Sequence, residues 1–385
     1  RQVHVAVGDH RIVLLPDGLL VARANVDAPL SDREFEPLSK DELAERLLAE
    51  EFEGFKTKQT NRYLYVYNTS DKFALGTSRI METMFPGVSA YSKAQKIDVH
   101  DPEVPLVVVM FRTDREFQQY RRMPEGVVAY YHTVTNRVLM YEESPLMRRD
   151  AEMALQQAVS TIAHEGAHQI LHNIGVQQRL SVWPMWLSEG LAEFYAPTTF
   201  GRRLKWKGAG QVNDMRMFEL ELYLKGRESE QPDGQMIEDT VRAARLTSTG
   251  YASAWSLTHF LARSNRAKFN RYVKEISELG PLEVAGEVVA PGVVPTNLAR
   301  FRQHFGDDLG ALENRLVAHL KRLPYNDPFA DYPHWVAMIF VPDERRGGKD
   351  ANIFHTEGMA KKWLRETLET VDASQRAAAQ MQVRE

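Results

Sequence analysis

Apolar and polar positions alternate along residues 1–25, where Val3, Val5 and Val7 and then Ile12–Leu15 fall around Asp17-Gly18. That pattern predicts short strands joined by a tight turn. Residues 26–40, with Pro29, Pro37 and many acids, read as a linker. Lys40–Phe52 places Leu43, Leu47 and Leu48 at helical spacing behind Ser39, a capping residue. Arg62–Asn68 reads as a strand, and Ser70-Asp71 opens a helix with Phe73, Ile80, Met81 and Met84 on its inner face. Val104–Phe111 is nearly all Val, Leu and Met and predicts a buried strand. Thr113-Asp114 opens a short helix through Tyr120, and Val127–His132 and Asn136–Tyr141 are two further strands. This order predicts a mixed sheet with helices on one face.

The character changes near Asp150. Ala151–Ile174, Met185–Tyr195, Asn213–Lys225, Tyr251–Ser264 and Lys268–Leu279 all have helical spacing, as do Thr296–Phe305 and Leu309–Leu323. Residues 226–240 read as a polar turn region and residues 281–296 as a Pro/Gly/Val-rich loop. Beyond Pro324 an aromatic, proline-rich passage leads to a strand at Val336–Val341, a charged loop at Asp343–Asp350 and a polar helix from Thr356 to about Gln380. The expected fold class is α+β, a mixed β-sheet upper subdomain above a mostly helical lower one. Its segments are 1–57 (hairpin, linker and helix), 58–149 (mixed α/β), 150–325 (helical) and 326–385 (C-terminal extension with a terminal helix).

Composition narrows the function by exclusion. A net charge of −4 over 385 residues leaves no basic excess for nucleic acid. With no cysteine, disulfides, thiolate metal ligands and cysteine nucleophiles are all excluded. The longest apolar run, near Val104–Phe111, is far too short to span a bilayer. The chain starts at Arg1 rather than Met, so a removed signal peptide or expression segment is expected.

The chemistry concentrates between Ser160 and Tyr195. His164 and His168 are four apart, on one face of a helix, and two imidazoles so placed can hold one zinc ion. Glu165 lies between them and can reach a water on the same metal. The flanks Val159, Ile162, Ala163, Ala167, Ile170 and Leu171 are apolar, so this helix is buried and its titratable groups need a partner. Gly166 and Ala167 are small enough to let a neighbouring element approach. Glu189, in the second apolar segment, is the leading third ligand, leaving a fourth position for water. Glu193, one turn further, can accept a hydrogen bond from the outer nitrogen of a ligand histidine. His172 is one turn too far for the same ion and reads as supporting or structural, and Tyr195 is a weaker candidate to face the site.

H-E-G-A-H followed by W-L-S-E-G-L-A-E-F resembles the gluzincin metallopeptidases, the thermolysin- and aminopeptidase-like clan. It is most similar to bacterial gluzincin-like domains of unknown function, over roughly residues 60–265. The resemblance implies a zincin-like fold, one zinc ion per chain, a peptide or protein substrate, and hydrolysis by zinc-activated water with Glu165 as general base. It also implies an oxyanion donor from a later helix, for which Tyr251 and, less so, His259 are candidates. It implies a substrate-pairing strand at Val138, Leu139 and Met140. The aminopeptidase G-x-M-E-N segment is missing: Pro124–Tyr131 reads P-E-G-V-V-A-Y-Y, where Glu125 is a poor match, so an endopeptidase is the default. The alternative is a zinc-binding recognition or scaffold module without peptidase activity. The usual location of similar bacterial domains makes a secreted or periplasmic protein the expectation.

Overall fold

A computed structural model describes residues 2–27, 33–124, 126–144, 151–199, 205–225, 233–286, 297–328, 330, 335–341, 348–354, 356–371 and 373–384, with only the backbone of 151–153, 156, 222 and 348–350. Glu125 and parts of the expected linker and loops lie outside the described residues. The protein is a mixture of helices and several small sheets, divided into two compact units, Arg1–Pro324 and Tyr325–Glu385.

The first unit begins with three antiparallel strands, β1 (Gln2–Val7), β2 (His10–Leu14) and β3 (Leu20–Ala24). Asp17-Gly18 forms the turn between β2 and β3, with Gly18 at φ +85°, where an L side chain would be strained. The third strand, β3, extends the predicted pair beyond the Asp17-Gly18 turn. Leu14 and Leu20 pack on Val104 and fix this small sheet to the main body. Helix α1 (Lys40–Glu50) starts in a capping box, with the Ser39 side chain on the backbone of Glu42 and the Glu42 carboxylate on the backbone of Ser39.

A five-stranded sheet follows, built from β4 (Lys56–Gln59), β5 (Tyr63–Tyr67), β6 (Leu106–Thr113), β7 (Ala129–His132) and β8 (Arg137–Glu143) in the order β4-β5-β6-β8-β7. Strands β5, β6 and β8 are parallel, and the edge strands β4 and β7 are antiparallel to their neighbours. Between them run α2 (Asp71–Ala94) and α3 (Asp114–Tyr120), the latter capped by Thr113. Leu64, Val66, Val107, Val109 and Leu139 meet Leu43 and Leu47 of α1 and Phe117 of α3 on one face. On the other face α2 and the long helix α4 (Ala151–Asn173) pack against β5, β7 and β8. Helices therefore cover both faces, where the sequence reading had one. Strand β6, buried on both sides, is apolar from Leu106 to Phe111 for that reason.

The topology also corrects the expected substrate strand. Val138, Leu139 and Met140 lie in β8, an interior strand paired with β6 on one edge and β7 on the other. Its backbone groups are committed to the ladder, so it cannot pair with an extended ligand. The free edge on this side of the sheet belongs to β7.

The helical half follows α4: α5 (Met185–Tyr195), the short pair β9 (Thr198–Thr199) and β10 (Lys205–Trp206), then α6 (Asp214–Lys225), α7 (Gln235–Arg242), α8 (Ser248–Ser264), α9 (Arg266–Ser277), α10 (Leu298–Phe305) and α11 (Leu309–Leu320). Helix α7 takes up the end of the expected turn region and runs two residues past it. Met236, Ile237, Thr240 and Val241 form one buried stripe, which drives the helix despite its polar opposite face. Trp186 at the start of α5 stacks on Tyr272 of α9 and meets Phe301 of α10 edge-on, anchoring α5.

The second unit is a sheet with β11 (Trp335–Val341) between β12 (Gly348–Phe354) and β13 (Gln380–Arg384), with α12 (Glu357–Thr370) packed on it through Ala360 and Leu364. Two expectations change here. Residues 348–350 open β12 instead of continuing a charged loop, and the terminal helix stops at Thr370, so that β13 can complete the sheet. Among the described residues no helix is long and apolar enough to cross a membrane.

One polar clamp ties α1 to the sheet. Arg137, at the start of β8, donates Nη1 to Glu51 Oε2 at 2.6 Å and Nη2 to Glu51 Oε1 at 2.9 Å, just past the end of α1. Burial pushes the Glu51 carboxyl up, but Arg137 outweighs it and leaves the group below its ordinary value of 4.5. The clamp's stability is therefore present above that value and is lost as the pH falls through the lower folded one. Glu51→Gln is expected to cost about 1–3 kcal/mol near neutrality, between exposed and fully buried pairs. In urea melts, the gap between Glu51→Gln and the parent protein should narrow at pH 3.

Candidate metal centre

Helix α4 is buried along the face that carries Ile162, Ala163, Ala167, Ile170 and Leu171. Gly166 lets α2 come close: a Cβ there would fall against the sulfur of Met81, as the small residue between the histidines implied. Helix α5 is buried almost all round, and its Gly190 meets α8 backbone to backbone. A Cβ at Gly190 would overlap Thr258 Oγ1 and stand 2.6 Å from the Ala254 carbonyl oxygen. Burial and this contact set the depth of α5 beside α4, and so the reach of Glu189.

The three expected ligands converge. His164 Nε2 lies 3.1 Å from Glu189 Oε2, His168 Nε2 lies 3.2 Å from His164 Nε2, and His168 Nε2 lies 3.4 Å from Glu189 Oε2. Donors held by a tetrahedral zinc at about 2.0–2.2 Å stand roughly 3.3–3.5 Å apart. The observed triangle matches one face of such a tetrahedron within a few tenths of an ångström, so the residues present fit the ion. Imidazole and carboxylate are also the donor set of an open zinc site. Among the described residues this is the one group of three or more such side chains able to hold a metal.

Charge around the triangle is organised by Glu193. Its Oε1 stands 3.0 Å from His164 Nδ1 and 2.7 Å from Arg216 Nη2. Its Oε2 accepts from Asn213 Nδ2 at 2.9 Å. Burial works against the Glu193 charge, but Arg216 and His164 outweigh it and bring the carboxyl down to about 2. Glu189 is likewise held well below the usual carboxylate range, against its burial, by the two imidazoles. His164 rises well above its ordinary value because Glu193 and Glu189 overcome the cost of burying its charge. The cluster is built for a positive charge at its centre. Glu165 behaves differently: burial raises its pKa, and its Oε2 accepts the backbone N–H of Tyr131 at 2.7 Å.

His164, Glu165, Glu193, Arg216 and Tyr251 open onto a cleft of about 250 Å³ whose other wall is Gly126–Ala129, leading into the edge strand β7. The ring of Tyr251 is 6.1 Å from that of His164, and the Arg216 guanidinium lies 5.3 Å over it. Three other candidates sit elsewhere. His259 is buried against His319, with Nδ1 3.0 Å from its Nε2, and does not line the cleft. Tyr195 packs edge-on against Tyr91 of α2, away from the ligands. His172 stacks on Tyr131 at 5.3 Å, which makes it a supporting residue rather than a ligand.

Arg216, Asn213 and Tyr131 were not singled out from sequence. Asn213 also caps α6, its Oδ1 accepting the Arg216 backbone N–H at 3.3 Å. The signal for Arg216 is a cation in the first turn of a helix whose next residues include Met217, Phe218 and Leu220.

Residues 158–283, about a third of the chain, match a family described as Protein of unknown function (DUF1570). The matched stretch runs from within α4 to just past α9 and so takes in His164, Glu165, His168, Glu189, Glu193, Arg216 and Tyr251. No curated protein matches the chain.

The two glycines separate tight from tolerant contacts. Gly190→Ala drives a methyl group into the α8 backbone and is expected to cost about 2 kcal/mol or more. Gly166→Ala meets only a flexible Met81 side chain, and the gain of about 1 kcal/mol in helix propensity offsets the crowding. Thermal melts should show a clear fall in Tm for the first and a shift near zero for the second.

Proposed function

We propose that this protein is a zinc-dependent peptidase of the gluzincin type, with the zincin-like arrangement of a sheet above a helical subdomain. The observation that carries this reading is the triangle of His164 Nε2, His168 Nε2 and Glu189 Oε2, with edges of 3.1–3.4 Å, beside an open cleft. These three side chains would hold the ion. Bound there, zinc would supply acidity to a coordinated water and polarise the scissile carbonyl.

The chain's own residues supply the rest. Glu165 takes the proton of the attacking water and hands it to the leaving amine. Its raised pKa suits a group that must both accept and return a proton. The Tyr131 N–H on Oε2 fixes the carboxylate and leaves Oε1 for the transfer. Glu193, braced by Arg216 and Asn213, holds His164 in place and balances its charge. Tyr251, in the cleft wall, donates its hydroxyl hydrogen to the oxyanion. Its raised pKa, from burial and then from Glu189, Glu165 and Glu193, keeps that hydrogen on the phenol.

An extended peptide would lie along β7. Tyr141 N–H donates to Val128 O, so Val128 faces β8, and by the two-residue period Ala129 and Tyr131 face outward. Tyr131 N–H bonding Glu165 agrees with this alternation. Ala129 lines the cleft, and its outward N–H and C=O are the main-chain partners for substrate.

Metal analysis of the purified chain should give about one zinc. Cleavage of a peptide library should vanish with a chelator and fall about 10²–10⁴-fold in Glu165→Gln, with zinc retained. Tyr251→Phe should lower kcat about 10²–10³-fold with little change in zinc content. Zinc at full occupancy with no cleavage of any library would instead support the recognition module, and full zinc in Glu189→Ala would remove the third ligand.

In a separate measurement of affinity by chelator competition, Glu193→Ala is expected to weaken zinc binding about 10–100-fold, because His164 loses its outer partner. An unchanged affinity would leave Glu193 with a role in packing alone.

A further inference from the structure

The far end of α4 borders a second cavity, of about 220 Å³, which shares no lining residue with the metal cleft. Its walls include His4 from β1, His100 and Glu103 from the segment before β6, His172 from the last turn of α4, and Arg179. It is smaller than the roughly 300–1,000 Å³ of pockets for drug-sized ligands.

Arg179 is the unusual wall. It is 6% exposed, yet no carboxylate among the described residues pairs with it. Its Nε donates to Thr133 O and its Nη2 to Val134 O, each at 2.8 Å, and its own carbonyl accepts from His4 Nε2 at 3.1 Å. Nη1 has no partner among the described residues, so three of the five N–H groups are unused. A guanidinium cannot discharge itself, and a buried one calls for an anion. Burial lowers its pKa, with Tyr131 and Glu103 the groups that resist. Glu103, the one acid on the wall, is exposed and makes no ion pair with it.

The neighbours fit the same ligand. His172 Nδ1 is buried without a hydrogen-bond partner. Burial brings that ring down to about 3, so it stays neutral and can offer the ligand a hydrogen bond but no charge. Gly175, at φ +87°, allows His100 to press in, since a Cβ there would stand 2.8 Å from His100 Cδ2.

We propose that this cavity binds a small ligand through a carboxylate or phosphate group, with Arg179 as its anchor. Nη1 and the remaining N–H of Nη2 form one edge of the guanidinium, and that edge meets two oxygens of one anion side by side. The proposal stands apart from the metal reading, in which Arg179 and Glu103 take no part.

Calorimetric titration of the full chain with succinate and with inorganic phosphate, against chloride at equal ionic strength, tests it. Saturable binding of at least one anion is expected, and the tighter of the two identifies the ligand's group. Arg179→Lys, which keeps the charge but loses the fork, should weaken binding tenfold or more, on the order of one lost charged hydrogen bond. Glu103→Gln removes the opposing charge and should tighten binding about three- to tenfold at low salt. If Arg179→Lys does not fold, Glu103→Gln, at an exposed position, decides alone. No saturable heat with either anion would overturn the proposal. So would binding that is the same in Glu103→Gln as in the parent chain, which assigns the heat to another site.

Discussion

Three carboxylates, Glu165, Glu189 and Glu193, are sunk around two imidazoles at the junction of α4 and α5. Unpaired buried charges of one sign cost several kcal/mol each, so this junction is stable only with positive charge placed among them. Arg216 supplies one such charge from α6, and the triangle of donor atoms makes room for another. The surrounding architecture follows from that need. Helix α6 must begin against Glu193, α5 must lie deep enough for Glu189 to reach the histidines, and β7 must present an N–H to Glu165.

The three carboxylates also differ in how they are held, and the difference sorts their roles. Glu189 and Glu193 face cations and are kept ionised. Glu165 faces a backbone N–H and sees its imidazole neighbours at longer range, so burial dominates and its proton affinity rises. Two ionised holders and one group with raised proton affinity is the division that the proposed hydrolysis would require.

What could be read in the sequence was local. The spacing of His164 and His168 and the buried character of α4 and α5 follow from patterns within one element, as do the caps at Ser39, Ser70 and Thr113. What could not be read was set between elements. Strand β4, Lys-Thr-Lys-Gln, carries no apolar alternation and exists because β5 offers it an edge. Whether β7 or β8 lies at the rim depends on β6 inserting beside β8, and no stretch of either strand encodes that order. His259 and Tyr195 have the right chemistry for a site but face the wrong way, a matter of helix rotation that a motif does not record. Arg216 acts on a partner 23 residues away and looks like any surface arginine in a helix.

The contact at Gly190 gives the centre a mechanical character. Helices α5 and α8 touch at Gly190 through the Ala254 main chain and the short Thr258 side chain, with no long side chain between them to compress or slide. Glu189 is the residue next to that contact, and Tyr251 rides on the first turn of the same α8. The two groups are thus mounted on one stiff plate, and thermal motion carries them together rather than apart. A plate of this kind keeps its registration until the whole helical layer gives way, so the centre should have a sharp threshold of failure and no loosened, half-working form.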